Sequence, residues 1–322
     1  MKGFVLARQK KRKGDPVHGW LNLNKPIEMT STQAVGKVRW LLNAQKAGHG
    51  GTLDPLADGI LPIALGEATK TSAFAMDADK DYTFEISWGA STTTQDREGE
   101  VTAQSDVRPS FEAIAKALEG FVGEIEQIPP QFSAIKVNGE RAYDLARDGE
   151  AVELKARTVE VFAAELDESS TEDLAKIHVT CGKGFYIRAL VRDLAAALGA
   201  EGHVWTLKRT RVGAFKIEDA VSVDALEAMD EIEARRAALI PIETALDDVP
   251  SVEIMSSSVA RIRNGNAVML MPHEMDAFKK ARTDLLGEES DDRLALALCD
   301  GKAVALGDVR AGQFQPSRVF QT

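Results

Sequence analysis

The sequence predicts an α+β fold with a small β domain at its C-terminal end. Three observations carry this reading. Segments of period-two and of helical hydrophobicity are both present. They do not alternate regularly, as βαβ units would. From about residue 251 onward the chain changes to short apolar runs separated by turns. At 322 residues it also exceeds the size at which one hydrophobic core stops growing, so two domains are expected. The expected boundaries are a basic tail over 1–14, a main domain over 15–250 and the β domain over 251–322.

Taken in order, "VHGWLNLNKP" alternates apolar and polar residues and reads as a strand stopped by Pro26. In "TSTQAVGKVRWLLNAQ", Thr30 or Ser31 can cap a helix on which Val35, Val38, Leu41 and Leu42 fall at helical spacing. "DYTFEISWG" is a strand with Tyr82, Phe84, Ile86 and Trp88 on one face and Thr83, Glu85 and Ser87 on the other. "SFEAIAKALEGF" reads as a helix capped by Ser110, and "TVEVFAAELD" and "AKIHVTC" as strands. "YIRALVRDLAAALG" reads as a helix closed by Gly199, and "RVGAFKI" as one more short strand. The acidic stretch 218–250 looks helical and solvated and could bridge to the second unit. "VEIMSSS", "RLALALCD", "KAVALGDV" and "PSRVF" supply the strands of the last domain.

Composition narrows the function classes. A hydrophobic content of 44% and a charged content of 28% are those of a soluble globular protein. No apolar run reaches the roughly 18–20 residues of a membrane span. "GFVLA" is too short for a signal-peptide core, and the basic run "RQKKRKG" follows it rather than preceding it. Cys181 and Cys299 are far apart, which is neither a disulfide framework nor a metal-ligand spacing. A cytoplasmic location is expected. The net charge of −11 speaks against a nucleic-acid partner until its distribution is considered. Residues 218–253 hold eleven acids against Arg235 and Arg236, so that one segment carries −9. Basic clusters stand elsewhere, at Lys10–Lys13 and at Lys208, Arg209 and Arg211. Screening confines charge effects to about 10 Å, so local patches decide binding. Each patch can equally be a solubilising face.

The stretch "GHGGTLDPLADGILPIALGEATK" raises the chemical question. Asp54 before Pro55 can be a plain helix N-cap, with Gly59 ending a single turn. That reading leaves Gly48, Gly50 and Gly51 unexplained, since glycines cluster where something approaches the backbone or φ must be positive. A Walker-type phosphate loop needs a following Gly-Lys-Ser/Thr, which is absent. Asp54 and Asp58 alone make a poor metal cage. A third reading makes Asp54 a nucleophile, kept charged by a nearby arginine and approached by a flat substrate through the open loop.

The stretch resembles the signature of the tRNA pseudouridine-55 synthases of the bacterial TruB type, matching every fixed position of G-H-x-G-x-L-D-P-x-A-x-G-x-L-P and of G-x-A-T-K. Further likenesses follow in order: "LNKP", "KDYTF", "QIPPQFSAIKVNGERAYDLARDG", "CGKGFYIRALVRDL" and "HVWTLKRTRVGAF". They span roughly residues 17–217. The resemblance implies a catalytic domain with a central mixed, largely antiparallel sheet flanked by helices, and a small PUA-like RNA-binding domain. It implies cleavage of the C1′–N1 bond of a uridine in the tRNA T-arm and rejoining through C5. Uracil and ribose are both kept, so no cofactor and no metal is expected.

By resemblance Asp54 is the catalytic carboxylate, acting at C1′, at the base or through a glycal. Arg188 is its ion-pair partner, although by itself it reads as a surface arginine. Tyr82, on periodicity a core aromatic, would stack on the uracil and take the C5 proton. The target base must leave the RNA stack, and His49, otherwise a structural or exposed histidine, would fill the gap. Leu207 would wall the base, Lys25 would contact or brace the loop, and Lys208, Arg209 and Arg211 would contact phosphates. Residues Ile125–Gly149 could close on the T-arm. Gly50 stands where a hydroxyl residue is frequent, Asn24 where Asp is, and Lys208 where Arg is, which puts RNA affinity more than chemistry in question. A monomer without an obligatory protein partner is expected. The competing readings are an RNA-folding module and the catalytic subunit of a guide-RNA particle.

Overall fold

The computed structural model describes residues 14–133, 136–137, 140–141 and 154–322. The basic run Lys10–Lys13 and most of the expected closing segment beyond Ser133 lie outside the described residues.

The first part of the chain carries strands β1 (Gly19–Lys25), β2 (Ala47–His49), β3 (Asp58–Leu65), β4 (Lys80–Trp88), β5 (Ala90–Thr92), β6 (Val101–Gln104) and β7 (Gly123–Gln127). There follow β8 (Lys136–Val137), β9 (Glu140–Arg141), β10 (Arg157–Leu166), β11 (Leu174–Cys181), β12 (Gly202–Val212), β13 (Phe215–Lys216) and β14 (Val221–Ser222). Ten of them form one sheet in the order β14-β1-β3-β12-β4-β11-β10-β7, with β2 beside β3 and β13 beside β12. The sheet is mixed and mostly antiparallel: β12 runs parallel to β3 and β14 parallel to β1, while the other pairs are antiparallel.

The alternation in "DYTFEISW" is realised in β4. Phe84, Ile86 and Trp88 join Val38 and Leu41 of helix Ser31–Leu41 and Leu190, Val191 and Leu194 of helix Ile187–Ala197 in one core. Full burial of each such side chain is worth about 1.5–3 kcal/mol. Thr30 caps the first helix with a reciprocal Gln33 bond, and Ser110 caps helix Phe111–Leu118. Gly199 closes helix Ile187–Ala197 at φ +62°.

Three elements differ from expectation. The region read as the short strand "RVGAFKI" is instead the hairpin end of the long central β12. Bulges after Val204 and after Arg209 break its alternation, which hid it. The stretch "DGILPIAL" is strand β3 rather than the end of a capped turn. The acidic segment is broken into helices Val223–Ala228 and Ile232–Ala237 with short turns, and it is not simply solvated. Its Ile242 and Leu246 are buried with Trp20 and with Leu296, Leu306 and Phe320 of the last part of the chain.

That last part forms a second sheet of β15 (Ser251–Glu253), β16 (Val268–Met269), β17 (Leu294–Cys299), β18 (Lys302–Arg310) and β19 (Gln313–Val319), ordered β15-β17-β18-β19-β16. It also carries helices Ser256–Arg263 and Pro272–Leu286, which the all-β reading missed. Among the described residues no helix is long and apolar enough to cross a membrane.

Candidate active site

The loop between β2 and β3 presents Asp54. It is held from two sides by direct side-chain hydrogen bonds. The Ser31 hydroxyl, at the start of its helix, donates to Leu53 O and accepts from Leu53 N, both at 2.9 Å. Arg209 on β12 lies beneath, with Nε donating to Ile60 O at 2.8 Å, Nη1 to Thr52 O at 3.1 Å and Nη2 to Gly51 O at 3.1 Å. Lys25, wholly buried at the end of β1, donates to Pro26 O and Met29 O, both at 2.8 Å. Burial pushes the Lys25 amine down to about 8, against the pull of the Asp58 and Asp54 carboxylates.

Two of the glycines have reasons in the fold. Gly51 sits at φ +117°, and a Cβ on Gly50 would lie 2.6 Å from Ala75 Cβ. Gly48 has neither constraint. The N-cap reading of Asp54 fails: a single turn closes from Ala57 N to Asp54 O at 3.1 Å, and then β3 begins. The Asp54 carboxylate turns instead to Arg188, with Oδ2 2.8 Å from Nη2.

Arg188 is the second residue of helix Ile187–Ala197, just past the "GKGF" turn. Its guanidinium is buried at 7% exposure, while the Asp54 side chain keeps 36%. Nη1 donates to Thr94 O at 3.1 Å and Nη2 to Phe132 O at 2.9 Å, and Nε lies 3.8 Å from Asp96 Oδ2. Asp96 is itself buried and accepts from Glu98 N at 3.1 Å. The guanidinium is thus fixed from behind and offers its carboxylate partner to the open side.

That side is a cavity of about 310 Å³. Asp54, Tyr82, Leu207, Arg209, Phe185 and Arg188 line it, with Lys80. Tyr82 is buried beside Leu207 on the adjoining strand. Burial raises its phenol pKa, and the positive charge of the nearby Arg209 guanidinium opposes that rise. Lys80 donates to Met76 O at 2.8 Å and to Ala78 O, and burial pushes its amine down to about 8.

The structure therefore brings together Asp54, Tyr82, Arg188 and Leu207; Lys25 does not line the cavity and bonds within its own turn, near enough to feel the Asp54 and Asp58 charges. His49 ends β2 one residue before the loop, half-buried, and is not among the cavity-lining residues. Lys208 points away from the cavity, its amine 3.1 Å from Asp58 Oδ2. Arg209 is a correction: at 1% exposure, with its fork committed to backbone carbonyls, it is not placed to bind phosphate. Sequence reading missed Asp96 and Lys80. Asp96 sits in "TTTQDREG", which looks like any polar turn, and Lys80 opens the very strand whose periodicity was legible.

Residues 39–187 match the model of the TruB family pseudouridylate synthases, N-terminal domain, and residues 188–247 match the tRNA pseudouridylate synthase B C-terminal domain. The chain belongs to the TruB pseudouridylate synthase family. It is an enzyme of the isomerase class. Among TruB relatives, tRNA pseudouridine synthase B of Caulobacter sp. (strain K31) is 52% identical over 98% of this chain and 99% of its own length. That of Rhizobium meliloti (strain 1021) is 46% identical over 98% of this chain and 100% of its own. Among solved structures, a Cbf5-Nop10-Gar1 complex aligns at TM-score 0.67 and 26% identity, covering 94% of this chain and 84% of that one. An H/ACA ribonucleoprotein bound to a substrate RNA containing 2′-deoxyuridine aligns at TM-score 0.68 and 24% identity, covering 98% and 92%, a likeness of fold.

Proposed function

We propose that this TruB-family chain converts a uridine in the T-loop of tRNA, position 55, to pseudouridine, with Asp54 as the catalytic carboxylate. The observation that carries this is the Asp54–Arg188 pair at 2.8 Å, facing a cavity walled by Tyr82 and Leu207. The cavity can take one flat base. A base in a folded loop reaches it only by leaving its stack, and His49 stands at the loop edge where it can occupy the vacated place. The high identity to relatives named for tRNA supports the substrate class.

In the reaction the C1′–N1 bond breaks, the uracil turns, and a C1′–C5 bond forms. The C5 hydrogen leaves as a proton and N1 gains one, so atoms balance without a co-reactant. Asp54 acts at the sugar or base, with Arg188 balancing its charge in the enclosed site. Tyr82 is held neutral by burial. Its hydroxyl can accept the C5 proton only while passing its own onward, and the nearby Arg209 charge favours that transfer. The second sheet, beginning at Ser251, would extend the RNA contact surface. No obligatory protein partner is included, and the chain is taken to act as a monomer.

The test is direct. The purified chain alone is incubated with an unmodified tRNA transcript, and pseudouridine is mapped. Conversion at the T-loop supports the reading. Binding without conversion would make the chain an RNA-folding module, and conversion only with added RNA and proteins would make it a particle subunit.

A further inference from the structure

Lys80 is a buried cation in the cavity wall. It opens β4 two residues before Tyr82, on the same face and about 7 Å away along the strand. Both side chains line the cavity that holds Asp54 and Leu207. Lys80 is 6% exposed. Two of its three N–H groups donate to Met76 O, at 2.8 Å, and to Ala78 O, at the end of helix Ser72–Asp77. The third has no acceptor among the described residues.

A cation suits a helix C-terminus, but an exposed lysine would serve there equally well. Burial disfavours the charged amine. It lowers the pKa to about 8, which leaves the amine mostly protonated at neutral pH. The charged and titratable groups acting on it are Arg209 of β12, Cys181 of β11, and Asp77 and Asp79 beside the helix. Asp77 lies 3.3 Å from the Lys183 amine, and Lys80 itself has no ion pair among the described residues.

The reaction has a use for such a charge. Breaking C1′–N1 at the sugar leaves the bond's electron pair on N1, so uracil departs as an anion with charge spread onto O2 and O4. Attack by Asp54 at the base also puts negative charge on the ring. When C5 bonds to C1′ and loses its proton while N1 gains one, the ring is neutral again. Arg188 is already balanced by Asp54 at 2.8 Å. Arg209 is committed to three carbonyls of the loop and β3. Lys80 therefore holds the cavity's uncommitted cationic N–H.

We propose that Lys80 is a further catalytic residue: its third N–H bonds to a carbonyl oxygen of the extruded uracil, and its charge stabilises the anion that the base becomes. The inference rests on the uridine-isomerising reading of the site.

The experiment compares two bases in two variants. Lys80→Met and Lys80→Gln remove the charge, and Gln keeps a donor for the helix end. With unmodified tRNA, single-turnover conversion should fall about a hundredfold, the range for loss of one preorganised donor to a developing anion. Affinity for tRNA should stay within about twofold, because the interaction is made chiefly during reaction. A transcript carrying 5-fluorouridine offers a base that leaves as a more stable anion. Followed by loss of the original nucleoside, its cleavage should suffer a clearly smaller deficit in both variants.

Conversion at close to the parent rate overturns the proposal. So does an equal deficit for the two bases, which makes Lys80 only a cap for its helix. Should both variants fail to fold, nitrogen-15 lysine spectra of the Asp54→Asn chain decide. The amines of Lys25 and Lys80 titrate near 8, and Lys25 does not line the cavity. One of these two resonances should move when tRNA binds, and movement of neither overturns the proposal. If the unaltered chain neither binds nor converts tRNA, the substrate reading itself falls, which is a distinguishable result.

Discussion

Arg209→Lys separates the two roles that sequence and structure give this residue. In the structure its fork reaches three carbonyls, at Ile60, Thr52 and Gly51, with distances of 2.8, 3.1 and 3.1 Å. These lie on both flanks of Asp54. A lysine amine keeps the charge but cannot span carbonyls arrayed around a planar guanidinium, so it replaces about one bond of the three. A hydrogen bond involving a charged group is worth roughly 1.5–3 kcal/mol. Two lost bonds therefore set a ceiling of roughly 3–6 kcal/mol. Loop relaxation and water entry recover part, leaving an expected loss of about 2–4 kcal/mol against a total stability of about 5–15. The chain should still fold.

Urea unfolding should show the midpoint falling at an unchanged slope. Turnover should drop at least tenfold because the Asp54 loop loosens, with tRNA affinity within about twofold of the parent. A phosphate contact makes the opposite forecast: unchanged stability, weaker binding, and a salt slope reduced by about 1. A stability loss under 1 kcal/mol together with that binding phenotype would refute the loop-holding role.

Asp54→Asn should bind tRNA and form no pseudouridine, as mapped on a full-length transcript; substantial conversion would remove the carboxylate from the chemistry. Tyr82→Phe should retain RNA affinity and stall after glycosidic cleavage, so single-turnover quench experiments should trap a species short of product. Arg188→Ala breaks contacts to Asp54 and to buried Asp96, and removal of one partner from a buried pair costs about 3–5 kcal/mol. Both the unfolding midpoint and turnover should therefore fall, and loss of turnover alone would argue that the pair is not structural. Lys80, whose pKa falls from 10.5 to about 8 on burial, makes stability depend on pH. Between those values the unfolded chain binds more protons, so stability rises with pH across that window by up to about 3 kcal/mol. Lys80→Met should flatten that rise in a comparison of urea midpoints at pH 7.5 and 9.5.

What the sequence disclosed and what it hid follow from the range of the forces involved. Period-two alternation placed β4, and local capping chemistry placed Thr30 and Ser110, because those signals lie within a few residues. β12 was lost because two bulges shift its phase, and the resulting strand is stabilised by partners far away in the chain. Helix Pro272–Leu286 was lost among flanking strand-like runs despite its Pro272 start. In the site, family likeness pointed to Asp54, Tyr82 and Arg188, and the fold brings them to one cavity. No local pattern could show that Asp96, 92 positions before Arg188, backs its guanidinium. Arg209 failed for a related reason. A basic cluster in sequence says nothing about which of its members the sheet turns inward: Lys208 faces out to Asp58 while its neighbour is buried under the loop.

That inward turn bears on how a chain of net charge −11 can act on an anionic polymer. Lys25, Lys80, Arg188 and Arg209 are all buried around the cavity. Of these, Arg188 alone contacts carboxylates among the described residues, and the other three spend their donors on backbone carbonyls. Carbonyl dipoles satisfy hydrogen bonds without cancelling net charge, so the enclosed region stays positive where screening is weak. Many surface cations, in contrast, are matched by acids, as Lys208 is by Asp58, Arg211 by Asp81 and Lys37 by Glu227. On the proposed function, a nucleotide delivered into the cavity would meet three cations, Lys80, Arg188 and Arg209, against one carboxylate, Asp54, so extrusion would add electrostatic gain to whatever surface contact supplies.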